Sequence, residues 1–248
     1  MYVNEPKLFI SGAAQGLGLQ SHVYSTNKCV TKFADLMSHN AKAGKLDVRD
    51  MLATMAQKAL ADISCRTEWA QGLKYLINNA GHSLFQVDFE KNRYSKHPQK
   101  ERLLSIVNGV LNGCHAAFPY LKEAKFARVI NLSSASAIYG QADLVSYSAS
   151  KFAVRGITEG LDIEWQKYGI RVLDVMPLFV QTAMVKDMDA GAIQNIGVSL
   201  SPQDVAEQVF AQVKAKGTLF TATHRPVGLK TKVMFTLSAI SPQFINRR

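Results

Sequence analysis

The sequence predicts an α/β fold: a doubly wound parallel sheet in a single domain, with helices on both faces. Three observations predict it. Short apolar runs alternate with helix-period segments, a glycine-rich turn follows the first of those runs, and small polar residues close the later ones. At 248 residues and 47% hydrophobic, the chain has enough apolar content for one large core. No repeat, low-complexity segment or linker divides it.

The elements follow in order. Lys7-Leu-Phe-Ile-Ser reads as a short strand, and Ser11-Gly-Ala-Ala-Gln-Gly-Leu-Gly follows it directly. Gly12, Gly16 and Gly18 allow a tight turn and a close approach to a pyrophosphate at the positive end of the next helix. Leu73-Lys-Tyr-Leu-Ile is another apolar run. Residues 99–122 read as a long helix whose apolar face is Leu103, Leu104, Val107, Val110 and Leu111, with His115 as a buried packing residue. Arg128-Val-Ile-Asn-Leu-Ser-Ser is a buried strand ending in a loop. A helix starting near Tyr147 continues through Ala153, Ile157, Leu161 and Trp165 and stops near Gly169. Ile170-Arg-Val-Leu-Asp-Val-Met is the next strand, and Ser201-Pro-Gln-Asp opens a helix with a reciprocal cap. Gly217–Thr223 is the expected last strand. The apolar tail from Leu229 to Ile240 is expected to be a docking helix over the pocket or a partner subunit, with membrane contact as the alternative.

Chemistry enters with Tyr147 and Lys151, four residues apart and so on one face of a helix. A free phenol has a pKa of about 10; bringing it to neutrality needs roughly 4 kcal/mol of differential interaction, which a nearby ammonium can supply. Such a tyrosine exchanges a proton with an alcohol or carbonyl. Ser134 closes the preceding strand, where an open parallel sheet places its chemistry. Its hydroxyl either bonds the same substrate oxygen or caps local backbone.

In this order the motifs resemble those of the short-chain dehydrogenase/reductase family, over most of residues 7–215. The family's Thr-Gly-x-x-x-Gly-x-Gly stands as Ser11 to Gly18, and its Asn-Asn-Ala-Gly as Asn78, Asn79, Ala80 and Gly81. The resemblance implies a Rossmann-type fold and a secondary alcohol–carbonyl oxidoreductase that uses NAD or NADP. It implies Tyr147 as general acid or base and Ser134 as the group orienting the substrate oxygen. Lys151 would hold the nicotinamide ribose, and Asn108 would position a water for proton exchange. The cofactor set it implies is Gly12, Gln15, Gly16, Leu17, Gly18, Asp35, Asp47, Val48, Asn79, Ala80, Gly81, Tyr147, Lys151, Pro177, Val180 and Thr182. Leu178 stands where the family has glycine after Pro177.

Between Gly18 and Asp47 the chain departs from the family. The segment from Leu19 to Lys28 is polar and poorly amphipathic. A strand at Cys29 to Ala34 would end at Asp35, only 12 positions before Asp47, which is too short for a crossover helix and another strand. The second-strand and third-helix region is therefore expected to be atypically short. Asp35 is either the ribose-binding acid of an NAD enzyme or a surface charge. Lys28, Lys32, Lys42 and Lys45 either accommodate a 2′-phosphate or form a solvated face. NAD is the favoured expectation.

Composition bounds the rest. No run reaches the roughly 18 apolar residues of a membrane span, so no stable membrane insertion is expected. The start, Met1 to Lys7, lacks signal-peptide character, and the three widely spaced cysteines suit a cytoplasmic protein. No metal-ligand spacing appears. The net charge of +10 is spread along the chain without interleaved aromatics, so no nucleic acid partner is expected. The expected substrate is a small alcohol or carbonyl with an apolar body lined by Ile138, Tyr139, Leu178, Phe179 and Met184. The helices near 99–122 and 147–168 are candidates for a homodimer or homotetramer interface. The rival from another class is a binding or scaffold protein on the same fold with impaired cofactor affinity; epimerisation or dehydration at the same tyrosine also stays open.

Overall fold

The computed structural model describes residues 7–10, 73–79, 98–142, 144–181, 197–215 and 222–240. The glycine loop, Gly18–Asp47 and its expected shortening, Gly81 and the stretch after it, Thr182 and Met184 lie outside these residues.

The described strands are β1 (Lys7–Ile10), β2 (Leu73–Asn78), β3 (Arg128–Leu132), β4 (Arg171–Met176) and β5 (His224–Pro226). They form one sheet in that order, and every neighbouring pair is parallel. Parallel neighbours require crossovers, and from β2 to β5 the described helices supply them. Helices α1 (Pro98–Leu121) and α2 (Val145–Trp165) follow β2 and β3, α3 (Pro202–Lys214) precedes β5, and α4 (Gly228–Ile240) follows it.

Alternation along the strands divides the core into two layers. Leu76, Val129 and Val172 pack with Ile106, Val110, Leu121, Val154 and Trp165 of α1 and α2. Ile77, Ile130, Leu132 and Val175 pack with Val205 and Val209 of α3. Helices therefore cover both faces, as a doubly wound sheet requires. Phe118 of α1 stacks on Trp165 of α2 at 4.9 Å between ring centroids.

Two expectations need correction. The buried stripe of α1 runs through Ile106, Val110, Cys114, Ala117 and Leu121, while Leu104 and Leu111 are 43% exposed. The helix carries apolar residues on two sides, and the phase of the sheet-facing one is set by packing. His115, one residue off that stripe, is exposed rather than buried. β5, which the sequence did not announce, pairs with β4 so that His224 stands opposite Asp174; residues 217–221 of the expected Gly217–Thr223 strand lie outside the described residues. Ser201 caps α3 as expected: its hydroxyl accepts from Asp204 N, and Asp204 reaches back to Ser201 N at 2.7 Å.

Candidate active site

β3 delivers Ser133 and Ser134 to the carboxyl edge of the sheet, where the chain turns into the 3-10 segment Ala135–Ala137. Ser134 is extended, with φ −163° and ψ 160°, and its Oγ accepts from Ser136 N at 3.2 Å. The same hydroxyl lies 3.4 Å from the Pro177 carbonyl, at the end of β4. Ser136 donates to Gln141 Oε1 at 2.9 Å, and Gln141 N donates to Ser148 Oγ at 3.1 Å, which ties the loop to the first turn of α2. Of the two readings of Ser134 the local cap is present, and the same hydroxyl also bonds the Tyr147 phenol.

Tyr147 and Lys151 sit one turn apart on α2, on the face turned to the sheet end. The Lys151 ammonium donates to the Leu132 carbonyl at 2.7 Å and stands 5.5 Å from the centre of the Tyr147 ring. It therefore faces the Tyr147 ring. The electrostatics follow that geometry. Burial pushes the Tyr147 phenol above its usual range, and the Ser134 hydrogen bond pulls the other way. Burial pulls Lys151 down to about 8, with Asp174 opposing. The expected acidification of Tyr147 by Lys151 is thus not what this geometry gives: desolvation outweighs the opposing influence.

Asn108 is exposed on α1. At 3.6 residues per turn it falls roughly opposite the Ile106–Val110–Ala117 stripe. A Cβ on Gly113 would stand 2.5 Å from Asn78 Oδ1, which puts Gly113 level with Asn78 in β2. Thr158 of α2 bonds Asn131 at 2.9 Å, level with the same row of the sheet. Two turns back from Gly113 and Thr158 lie Ile106 and Lys151. The inward position of α1 at the height of Lys151 is therefore held by buried Ile106, and the structure does not bring Asn108 to the pair. Pro177, Leu178, Phe179 and Val180 follow β4 and are buried, with Val180 bridging Leu200. Ile138, Leu178 and Phe179 share one apolar cluster, against which Tyr139 and Tyr147 pack. Asn79 follows β2 and is partly exposed. Gly12, Gln15, Gly16, Leu17, Gly18, Asp35, Asp47, Val48, Ala80 and Gly81 lie outside the described residues.

Behind the pair runs a row of polar residues that sequence reasoning missed. Asn78, Asn131, Asp174 and His224 are register partners across β2 to β5. Asn78 Nδ2 donates to Asn131 Oδ1 at 2.9 Å. His224 Nδ1 is 3.0 Å from both Asp174 oxygens, and its Nε2 is 2.8 Å from Glu159 Oε1 on α2. The available signal was a lone acid in an otherwise apolar strand, Arg171-Val-Leu-Asp-Val-Met.

A family model described as short chain dehydrogenase matches residues 7–192, three-quarters of the chain. The chain belongs to the short-chain dehydrogenase family. It is accordingly an oxidoreductase of the kind that acts on CH–OH groups. A 3-alpha-(or 20-beta)-hydroxysteroid dehydrogenase of Mycobacterium tuberculosis is 29% identical over 216 residues, spanning 81% of this chain and 79% of that one. A short-chain dehydrogenase from Burkholderia cenocepacia, solved with NADP, superposes with a TM-score of 0.74 at 20% identity, covering 99% of this chain and 98% of that one. A 3-ketoacyl-(acyl-carrier-protein) reductase from Brucella melitensis, solved with NADH, gives 0.72 at 20% identity over 90% and 96% of the two chains. At that identity these two likenesses speak for the fold.

Proposed function

We propose that this short-chain dehydrogenase interconverts a secondary alcohol and its ketone or aldehyde, with Tyr147 as proton donor and acceptor and NAD or NADP as the second substrate. The observation that carries the reading is the convergence of Ser134, Tyr147 and Lys151 at the carboxyl ends of β3 and β4. That edge is where open parallel sheets bind ligands.

The residues present suit a nicotinamide cofactor. Lys151 uses one of its three N–H donors on the Leu132 carbonyl, and the other two match a ribose diol. Pro177, Val180 and Thr182 would meet the carboxamide end, and the glycine loop with Asp35, Asp47 and Val48 the adenosine end. When bound, the nicotinamide supplies the hydride chemistry. The protein's own work is proton handling and orientation. Ser134 holds the substrate oxygen beside the Tyr147 hydroxyl. With its pKa raised by burial, the phenol is protonated at neutral pH, the form that donates to a developing alkoxide. Taking a proton from an alcohol is correspondingly favoured at alkaline pH. Ile138, Leu178 and Phe179 beside Tyr147 suit an apolar substrate body, for which a hydroxysteroid, the substrate class in the mycobacterial relative's name, is a fitting first probe.

The test is absorbance at the nicotinamide band against a panel of secondary alcohols and ketones, hydroxysteroids included, with calorimetric titration of NADH and NADPH alongside. Turnover by wild type that falls at least a hundredfold in Tyr147→Phe is expected, since positioned acid–base groups contribute about 10²–10⁴-fold. Undiminished turnover in that variant, or no binding of either dinucleotide, refutes the reading. Exposed Leu104 and Leu111 on α1, with Phe152 and Ile163 on α2, support pairing of these helices in a homodimer or homotetramer.

A further inference from the structure

The row behind Lys151 carries charge as well as amides. Asp174 is fully buried in β4, on the face covered by α2. Its register partner Asn131 immediately precedes Leu132, whose carbonyl holds the Lys151 ammonium at 2.7 Å. Adjacent strands are spaced about 4.8 Å apart, so Asp174 stands one strand over from the carbonyl that holds the ammonium, and its charge acts on Lys151 through the buried interior.

The groups facing Asp174 come from every element packed there. β5 contributes His224, whose Nδ1 stands 3.0 Å from each carboxylate oxygen, and the Arg225 backbone N–H. α2 contributes Lys151, Arg155 and Glu159. Arg155 pairs with Glu159 at 2.9 Å, and Glu159 takes the far side of the imidazole at 2.8 Å. α4 closes the cluster with Phe235, whose ring centroid is 5.8 Å from that of His224. Each imidazole nitrogen thus faces a carboxylate, an arrangement satisfied on both sides only when both nitrogens donate, as imidazolium. That keeps Asp174 in demand as an anion although burial pushes its carboxyl up.

We propose that Asp174, anchored by His224 and through it by Glu159, is the positioning residue that keeps Lys151 charged beside Tyr147. This deepens the function proposed above and rests on it for its catalytic meaning. A buried lysine without a counter-ion sheds its proton. Burial has already brought Lys151 to about 8, so little further loss would empty it of charge near neutral pH. Asp174 opposes that loss from behind, leaving the front of the ammonium free for Tyr147 and a diol. It touches neither.

The test uses full-length protein carrying ¹³Cε-labelled lysine, with the Lys151 signal assigned by its disappearance in Lys151→Arg. In Asp174→Asn the Lys151 midpoint should move to lower pH, the direction in which removal of an opposite charge takes a buried ammonium. Asp174→Thr, suited to a strand, makes the same measurement if the asparagine variant does not fold. The alkaline limb of kcat/KM should move to lower pH in parallel. An unchanged Lys151 midpoint in a folded variant overturns the proposal even where wild type turns substrate over. Absence of turnover by wild type refutes the functional reading instead, and the lysine midpoint still decides whether Asp174 sets the charge.

Discussion

The hydroxyl of Ser134 is where local structure and chemistry meet. It caps Ala135–Ala137 and also opposes the rise that burial imposes on Tyr147. Ser134→Ala removes both, and the Tyr147 phenol then rises further. Alcohol oxidation, which needs the phenolate, should start at higher pH than in wild type, as a pH–rate profile of kcat/KM will show. A matched pair of variants distinguishes the two residues nearest in role. Asn108→Ala should leave turnover within a few-fold of wild type, because its side chain lies outside the layer that holds Lys151. Tyr147→Phe should not. The triad Ser134, Tyr147 and Lys151 was legible in the sequence because its spacing is local to one strand end and one helix. The placement of Asn108 was not, since residues two positions apart on a helix face quite different directions and only packing fixes the phase.

Among the elements, those with local signatures were the legible ones. The apolar runs of β2, β3 and β4 and the cap at Ser201 follow from residues within a few positions of each other. β5 escaped because its bounds are set by a partner strand 50 residues earlier in sequence, and the His224–Asp174 contact spans the same gap. Gly113 shows how tightly α1 meets the sheet. Alanine there gains about 1 kcal/mol of helix propensity. It also drives a methyl against Asn78 Oδ1, an atom held in the amide row rather than free to swing away. Overpacking of this kind costs about 1–3 kcal/mol, and displacing a buried amide adds a similar amount. The packing cost wins. Gly113→Ala should lower the midpoint of thermal or urea unfolding, and a rise would show that α1 yields more easily than its contacts suggest.

For the whole molecule, the charged cluster ties three parts of the chain together: α2, β4 and β5. His224 has its affinity for a proton raised in the folded state, with burial opposing and the Asp174 and Glu159 carboxylates prevailing. A group whose folded pKa exceeds its unfolded value of 6.5 stabilises the protein fully below that pH. The contribution fades as pH climbs through the raised folded value. The difference in unfolding midpoint between wild type and His224→Gln should therefore be widest below about pH 6.5 and shrink on the alkaline side. A difference that grows with pH would reverse the sign of the assignment.

The alignment of Asn78, Asn131, Asp174 and His224 has a consequence for how the chain finds its sheet. A slip of any one of these strands by a single position turns every side chain to the opposite layer. Ile77 or Ile130 would then confront the amides and carboxylate of its neighbours, while an asparagine or aspartate would be thrust among Val205 and Val209. Both errors strand hydrogen-bonding atoms in grease. Four side chains that help the reaction only indirectly thus act as a combination lock on strand alignment, penalising each misregistered sheet before any ligand arrives.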